Sequence, residues 1–110
     1  MAEVQIAIAG AGAEAAAAEL FSMEGIEGSY QVDESVSKDG GTLAVVGTVV
    51  AITVGAMTIG EKLHRWHQSY RTKDSQARIE KVLIVTKTSR LLLEDATIED
   101  ISNALKPFAK

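Results

Sequence analysis

The stretch of sequence that decides the fold is TLAVVGTVVAITVGAMTIGEKLHRWHQSYRTK, residues 42–73 of a chain of 110. Its first half lies in a block, residues 40–60, that carries no charged side chain, and 12 of these 21 residues are Ala, Val, Leu, Ile or Met. β-Branched residues disfavour a helix slightly, but strands rarely run so far without a turn or a charge. The pattern therefore predicts one long apolar helix over about residues 42–71, which must be buried in protein or in lipid.

The uncharged block fits two surroundings. As a helix, its 21 residues would span about 30 Å, the thickness of a bilayer core, and the basic and aromatic residues that follow are typical of a cytoplasmic flank. Five glycines and four threonines make the block less apolar than an ordinary span. A membrane crossing would also separate the first strands of the chain from the last ones and leave unpaired edges. We prefer a helix buried in protein, with membrane insertion through residues 40–60 as the alternative.

The helical spacing predicts an interaction surface on this helix. Small residues four apart let two helix backbones approach closely, and a basic, aromatic end can orient and anchor a partner. The members of this predicted surface are Gly47, Ala51, Gly55, Lys62, Arg65, Trp66 and Tyr70.

The flanking sequence predicts a small α+β fold. Residues 4–9 alternate between a large apolar face and a face of small residues, as in a strand, and Thr97 with Asp100 resembles a helix capping box. We expect one domain over residues 1–110 with a mixed four-stranded sheet in the order β-α-β-α-β-β-α. Besides the long helix, its elements are strands at 4–9 and 29–36, a helix at 13–23, a hairpin of 79–87 with 90–94, and a last helix containing Ile98, Ile101, Leu105 and Phe108.

Charge is unevenly distributed along the chain. Residues 1–39 carry eight acidic side chains and one base, whereas residues 61–90 carry eight bases and three acids. Because the net charge is −4, the composition argues against a nucleic-acid partner. The basic region is more simply matched to an acidic protein surface, such as residues 14–39 of a second copy.

Two motifs in the sequence could in principle bind a ligand or a metal ion, but we give both a structural interpretation. Gly10 and Gly12 with Asp33 fit the dinucleotide-binding pattern, but Glu14 would repel a phosphate and the β-α-β series stops too early, so we interpret the glycines as a tight turn. His64 and His67 share a helix face without a third nearby ligand, and the chain contains no cysteine. We therefore predict no catalytic residue, no metal ligand and no cofactor, and a chain that is not an enzyme.

The order of segments resembles the effector-associated constant component family of bacterial conflict systems. The matching segments are VQIAIAG, AEAAAAELF, GGTLAVVGTVVAITVGAMTIGEKLHRWHQSYRTK, KVLIVTKTSRLLLED and TIEDISNALKPF. The resemblance implies a non-enzymatic adaptor of bacterial immunity that accompanies a variable effector, often a peptidase, or an NTPase sensor. We therefore expect a cytoplasmic adaptor or assembly component of an anti-phage system that docks with such a partner and self-associates, with an inner-membrane location as the alternative.

Overall fold

The computed structural model of the chain describes residues 4–33, 44–72, 78–87 and 89–109. Its elements follow one another in the order β-α-β-β-α-β-β-α. They are β1 (Val4–Ala9), α1 (Ala13–Phe21), β2 (Ile26–Asp33), β3 (Ala44–Ile52), α2 (Ala56–Arg71), β4 (Lys81–Val85), β5 (Arg90–Leu92) and α3 (Ile98–Leu105). A single 3-10 turn, Leu93–Asp95, connects β5 to α3.

The strands form one sheet of five in the order β2-β3-β1-β4-β5, and every pair of neighbours is antiparallel. β1 and β2 therefore run in the same direction with β3 between them, and α1 connects them. In the same way α2 connects β3 to β4 across β1. Two interleaved β-α-β units of this kind form the ferredoxin-like arrangement, to which β5 adds an edge strand and α3 a third helix.

The predicted helix over residues 42–71 is wrong in its first half. Residues 44–52 form β3, whose buried and accessible positions alternate, and six of these nine residues are Val, Ile or Thr, which pack well on a pleated sheet. The chain changes direction at Gly55, which has an extended backbone (φ −66°, ψ 159°) and precedes the first residue of α2. Residues 44–52 carry no charge because β3 is an interior strand of the sheet, with β2 on one side and β1 on the other.

The predicted sheet is wrong for the same reason. We expected the elements to follow the order β-α-β-α-β-β-α, with a mixed sheet of four strands. Because residues 44–52 form a strand and not part of a helix, the sheet has a fifth strand. The added strand lies between β2 and β1, so no two neighbours are parallel within the described residues. The fold remains in the α+β class.

Most of the other predicted elements are confirmed. β1 covers the predicted residues 4–9, and α1 begins at the predicted residue 13 and ends two residues before the predicted 23. β2 lies at a sheet edge as expected, although it begins three residues earlier than the predicted residue 29; residues 34–36 of that prediction lie outside the described ranges. The hairpin is present as β4 and β5, and Thr97 and Asp100 form both hydrogen bonds of a capping box.

The core lies between one face of the sheet and the helices. Cross-strand pairs such as Ile8 with Val45 and Ile6 with Ile84 are at most 2% exposed. α1 covers them with an alanine face and Leu20, and α2 lies beside α1. α3 packs on α2 at Gly60, where an added Cβ would lie 3.0 Å from the Ile98 carbonyl oxygen.

No helix within residues 4–33, 44–72, 78–87 and 89–109 is long and apolar enough to cross a membrane. The helix that the membrane alternative requires is not formed, because residues 44–52 are a strand in the interior of the sheet.

Candidate interaction surface

The predicted small-residue stripe is not formed, because Gly47 and Ala51 lie on a strand, β3, and Gly55 precedes the helix α2. Gly47 lies on β3, where an added Cβ would be 2.5 Å from the Phe21 ring. Its small size lets this ring pack on the sheet and stack on Tyr30, with 5.8 Å between ring centroids. Ala51 is half-buried near the end of β3, and Gly55 is exposed at the start of α2.

The predicted basic and aromatic end holds α2 to α1 within the chain. The buried Trp66 indole donates a hydrogen bond to the Ala16 carbonyl at 2.9 Å, and the Tyr70 hydroxyl lies 3.2 Å from a Glu19 carboxylate oxygen. Lys62 donates from Nζ to the Glu24 carbonyl at 2.9 Å. Of the four residues predicted at this end, Arg65 alone is exposed, so the aromatic anchors serve the chain's own core.

The glycine turn after β1 is closed by backbone. Gly10 has a φ of +141°, and a Cβ there would lie 2.7 Å from backbone atoms of residues 78–80. The Gly12 amide donates to the Arg78 carbonyl at 3.0 Å, and the Ala13 amide donates to the Gly10 carbonyl at 3.1 Å. Neither amide is available to a phosphate, and β3 separates β1 from β2. The interpretation of the glycines as a tight turn fits this geometry, whereas a dinucleotide site does not.

The two histidines of α2 differ in environment. His67 is only 2% exposed, and its burial, assisted by the positive charge of Arg71, lowers the pKa of its imidazole below the usual 6.5. His64 is half-buried one turn earlier. Within the described ranges, no group of three His, Cys, Asp or Glu side chains is placed to hold a metal ion.

The side of the sheet opposite the helices, which we call the open face, is covered by no helix of the described part of the chain. Strand positions that alternate with the core positions point toward it. On a solvated face of an antiparallel sheet these positions are usually polar. Here they include four apolar residues in one line.

This line, which we call the apolar row, crosses four strands. In the strand register Val46 pairs with Ala7, Ala7 with Leu83, and Leu83 with Leu92. Directly opposed side chains of neighbouring strands lie about 5 Å apart, so the four form a continuous stripe. Val46 is 39% exposed, and the other three are half-buried.

Polar and charged side chains border the apolar row. A parallel line on the same face contains Ser29, Thr48, Gln5, Val85 and Arg90, as their pairing shows. The exposed bases of this face, Lys81 and Arg90, lie on β4 and β5, whereas an exposed acid, Glu27, lies on the opposite edge strand β2. The exposed Asp95 lines one cavity with Lys81 and Arg90, so the β4–β5 end carries two bases and one acid, whereas the β2 end carries the acid Glu27.

The edges of the sheet are poorly suited to pairing with another strand. The pairing of β2 with β3 is interrupted by a bulge on β3, since Gly28 pairs with Val49 and Glu27 with Ala51, which leaves Val50 as the extra residue. β5 is only three residues long. Bulges, charges and short strands are the usual devices that protect an edge, so the open face is the more suitable contact surface.

Comparisons with protein-family models, curated proteins and solved structures found no match to this chain.

The open face is the feature that the sequence analysis missed. Its signal was present in VQIAIA, where large residues alternate with Gln5, Ala7 and Ala9, and in AVVGTVVAI, where Val45, Gly47 and Val49 alternate with the outward positions. The expectation that the uncharged segment is fully buried is correct only for the inward positions. Val46 and Val50 are 39% and 63% exposed in the single chain.

Proposed function

We propose that the chain is a non-enzymatic assembly component that binds protein through its open face. The observation that carries this proposal is the apolar row, because Val46, Ala7, Leu83 and Leu92 occupy positions where a sheet facing water would carry polar side chains. A contiguous apolar patch with a polar border is typical of protein contact sites.

The proposed contact residues differ from those predicted from the sequence. The surface of Gly47, Ala51, Gly55, Lys62, Arg65, Trp66 and Tyr70 required a continuous helix, which the chain does not form. We retain the role of an adaptor that docks with other proteins, but we assign the contact to the open face of the sheet and not to a helix.

The biological setting that we propose is a bacterial anti-phage or conflict system in the cytoplasm. Support for this setting comes from the resemblance in segment order to effector-associated constant components. On this proposal the chain forms part of an assembly with an effector such as a peptidase, or with an NTPase sensor, and it contributes binding rather than catalysis.

The experiment replaces one apolar row residue by a charged one and measures both complex formation and phage protection. Leu83→Glu places a charge in the middle of the apolar row, whereas Met57→Glu, at a position 56% exposed on the helical side, is the matched control. Both variants are expressed in the native host from the chromosomal locus. Circular dichroism and thermal melts of the purified variants check that they are folded.

We expect Leu83→Glu to reduce co-purification of the effector or sensor, and phage protection, by about tenfold or more, as for a central interface residue. Met57→Glu should retain both. A folded Leu83→Glu chain that still co-purifies with its partner in the normal amount would contradict the proposed surface. Normal plating of phage on a strain lacking the whole chain would contradict the proposed setting.

A further inference from the structure

We infer that the open face binds a second copy of the same chain, with the two sheets face to face. The twofold axis that relates them is parallel to β1 and lies midway between the two sheets. This inference rests on the proposed function, because it names the partner of the surface proposed there. Homodimers with twofold symmetry are the commonest oligomers, and they need one surface that is complementary to itself.

The apolar row has this self-complementarity. β1 is the central strand of five, so a twofold axis along it exchanges β3 with β4 and β2 with β5. Val46 then lies opposite Leu83 of the partner subunit, and Ala7 lies opposite its own copy on the axis. Because packed sheets lie about 10 Å apart, the small Ala7 pair leaves room for the larger side chains on either side to interdigitate.

Charge selects this axis over the alternative twofold axis perpendicular to the strands. With the axis along β1, the edge strand β2 lies over β5 of the partner subunit, and Arg90 lies opposite Ser29 because the two belong to one line across the sheet. Glu27 is two residues from Ser29, which is about 7 Å along a strand. An axis perpendicular to the strands would place β2 on β2 and β5 on β5, and would bring like charges together.

The size of the open face sets the expected affinity. Five strands spaced by about 4.8 Å, and about six residues long, cover a footprint of about 480 Å². A standard stable interface buries about 800 Å² on each partner. The face is therefore smaller than a standard interface, and we expect the dimer fraction to depend on the concentration of the chain.

The first experiment measures the oligomeric state of the intact chain. Sedimentation velocity over about 1–500 μM spans the range in which such a dimer would form. We expect the sedimentation coefficient to rise from that of a monomer to that of a dimer. Ala7→Lys should keep the chain monomeric throughout, because it places two like charges on the axis.

Charge reversal tests whether the two edges meet. Glu27→Arg or Arg90→Glu alone should weaken the dimer about threefold or more, and the double variant should restore it. The double variant can restore the dimer only if the residue at position 27 of one copy faces the residue at position 90 of the other. A contact with a different protein would not be restored, because that protein keeps its original charges. A double variant weaker than both single variants would overturn the twofold arrangement.

Cross-linking identifies which residues face each other, and it remains informative if a charge variant fails to fold. The chain has no cysteine, so single cysteines can be introduced cleanly and joined by a short bis-maleimide. We expect Ala7→Cys to link to itself, and Val46→Cys to link to a Leu83→Cys chain far better than to itself. Met57→Cys is the control that should not link.

The outcomes separate this inference from the proposed function. A chain that stays monomeric at all concentrations and does not cross-link would overturn the inference, as would self-linking of Val46→Cys without any Val46 to Leu83 link. The proposed function would then stand or fall on the Leu83→Glu test with the effector. If the chain with its native Leu83 forms the dimer and the cysteine variants give the expected links, but a strain carrying Leu83→Glu still assembles with the effector and protects against phage, the inference is upheld and the proposed function is contradicted.

Discussion

Gly10 lies where the chain leaves β1 for α1, with a backbone φ of +141°. An L-residue rarely adopts this conformation, and backbone atoms of residues 78–80 occupy the space that a Cβ would need. The same residue that looked like part of a phosphate loop is thus required for close contact between two backbone segments.

We predict that Gly10→Ala lowers the free energy of unfolding by at least about 2 kcal/mol, because strain at a positive φ adds to the steric clash. Gly55→Ser is the matched control. Gly55 has an extended backbone before α2 and no atom within 4 Å of an added Cβ, so a serine cap should be neutral or slightly stabilising. Urea unfolding followed by circular dichroism measures both, and equal stabilities would contradict the account.

His67 should make stability depend on pH. Because burial and Arg71 lower its pKa in the folded chain from 6.5, the unfolded chain binds more protons just below that pH. The free energy of unfolding should therefore fall as the pH decreases from about 6.5 toward the folded-state pKa. Glu94, whose charge acts in the opposite direction, and the neighbouring His64 also face this imidazole.

The measurement is urea unfolding at a series of pH values for the wild-type chain and for His67→Gln. The variant should lose the part of the slope that His67 causes, whereas His64→Gln should retain it. An identical slope in the wild-type chain and in His67→Gln would show that another group is responsible.

At the scale of elements, two neighbouring aromatic side chains of α2, Trp66 and Tyr70, hold this helix to α1 through hydrogen bonds. Trp66 donates to the Ala16 carbonyl at 2.9 Å, and its ring lies 6.2 Å from that of Tyr70. The side chains that sequence reasoning assigned to a partner therefore contribute to the chain's own core. The sequence indicated that Trp66 is an anchor on a helix. Its contact with the Ala16 carbonyl could not be predicted, because it depends on how α1 and α2 pack together.

We predict that Trp66→Phe lowers the free energy of unfolding by about 1–3 kcal/mol, since it removes the buried hydrogen bond to the Ala16 carbonyl and creates a gap. Tyr70→Phe should cost less, because the Tyr70 hydroxyl bonds are longer and only partly buried. Thermal melts by circular dichroism compare the two variants. A Tyr70→Phe variant less stable than Trp66→Phe would contradict this ranking.

The elements also show why part of the fold could be predicted and part could not. β1, α1 and the capped α3 follow from local signals such as alternation, alanine content and the Thr97 capping box. Residues 42–60 give conflicting local signals, because length without charge favours a helix and β-branched content favours a strand. Pairing of β3 with both β2 and β1 decides in favour of the strand, and that pairing is a long-range property.

At the scale of the whole molecule, the three helices of the described ranges cover one side of the sheet and none of them covers the other. Once β3 is placed between β2 and β1, the residues Val46, Ala7 and Leu83 fall into line. The alternation along β1 and β3 was readable from the sequence, but the line that these residues form across the sheet exists only after the strand order is known. The same order places the acidic edge strand and the basic edge strand at opposite sides of the sheet.

The most direct test of the open face as a protein contact surface is the accessibility of its methyl groups, measured by NMR with a dissolved paramagnetic probe. In the dilute single chain, the methyl signals of Val46, Leu83, Leu92 and Met57 should all broaden. In the assembled state the three row residues should become protected while Met57 stays accessible. Row methyl groups that remain as accessible after assembly as before it would contradict the account.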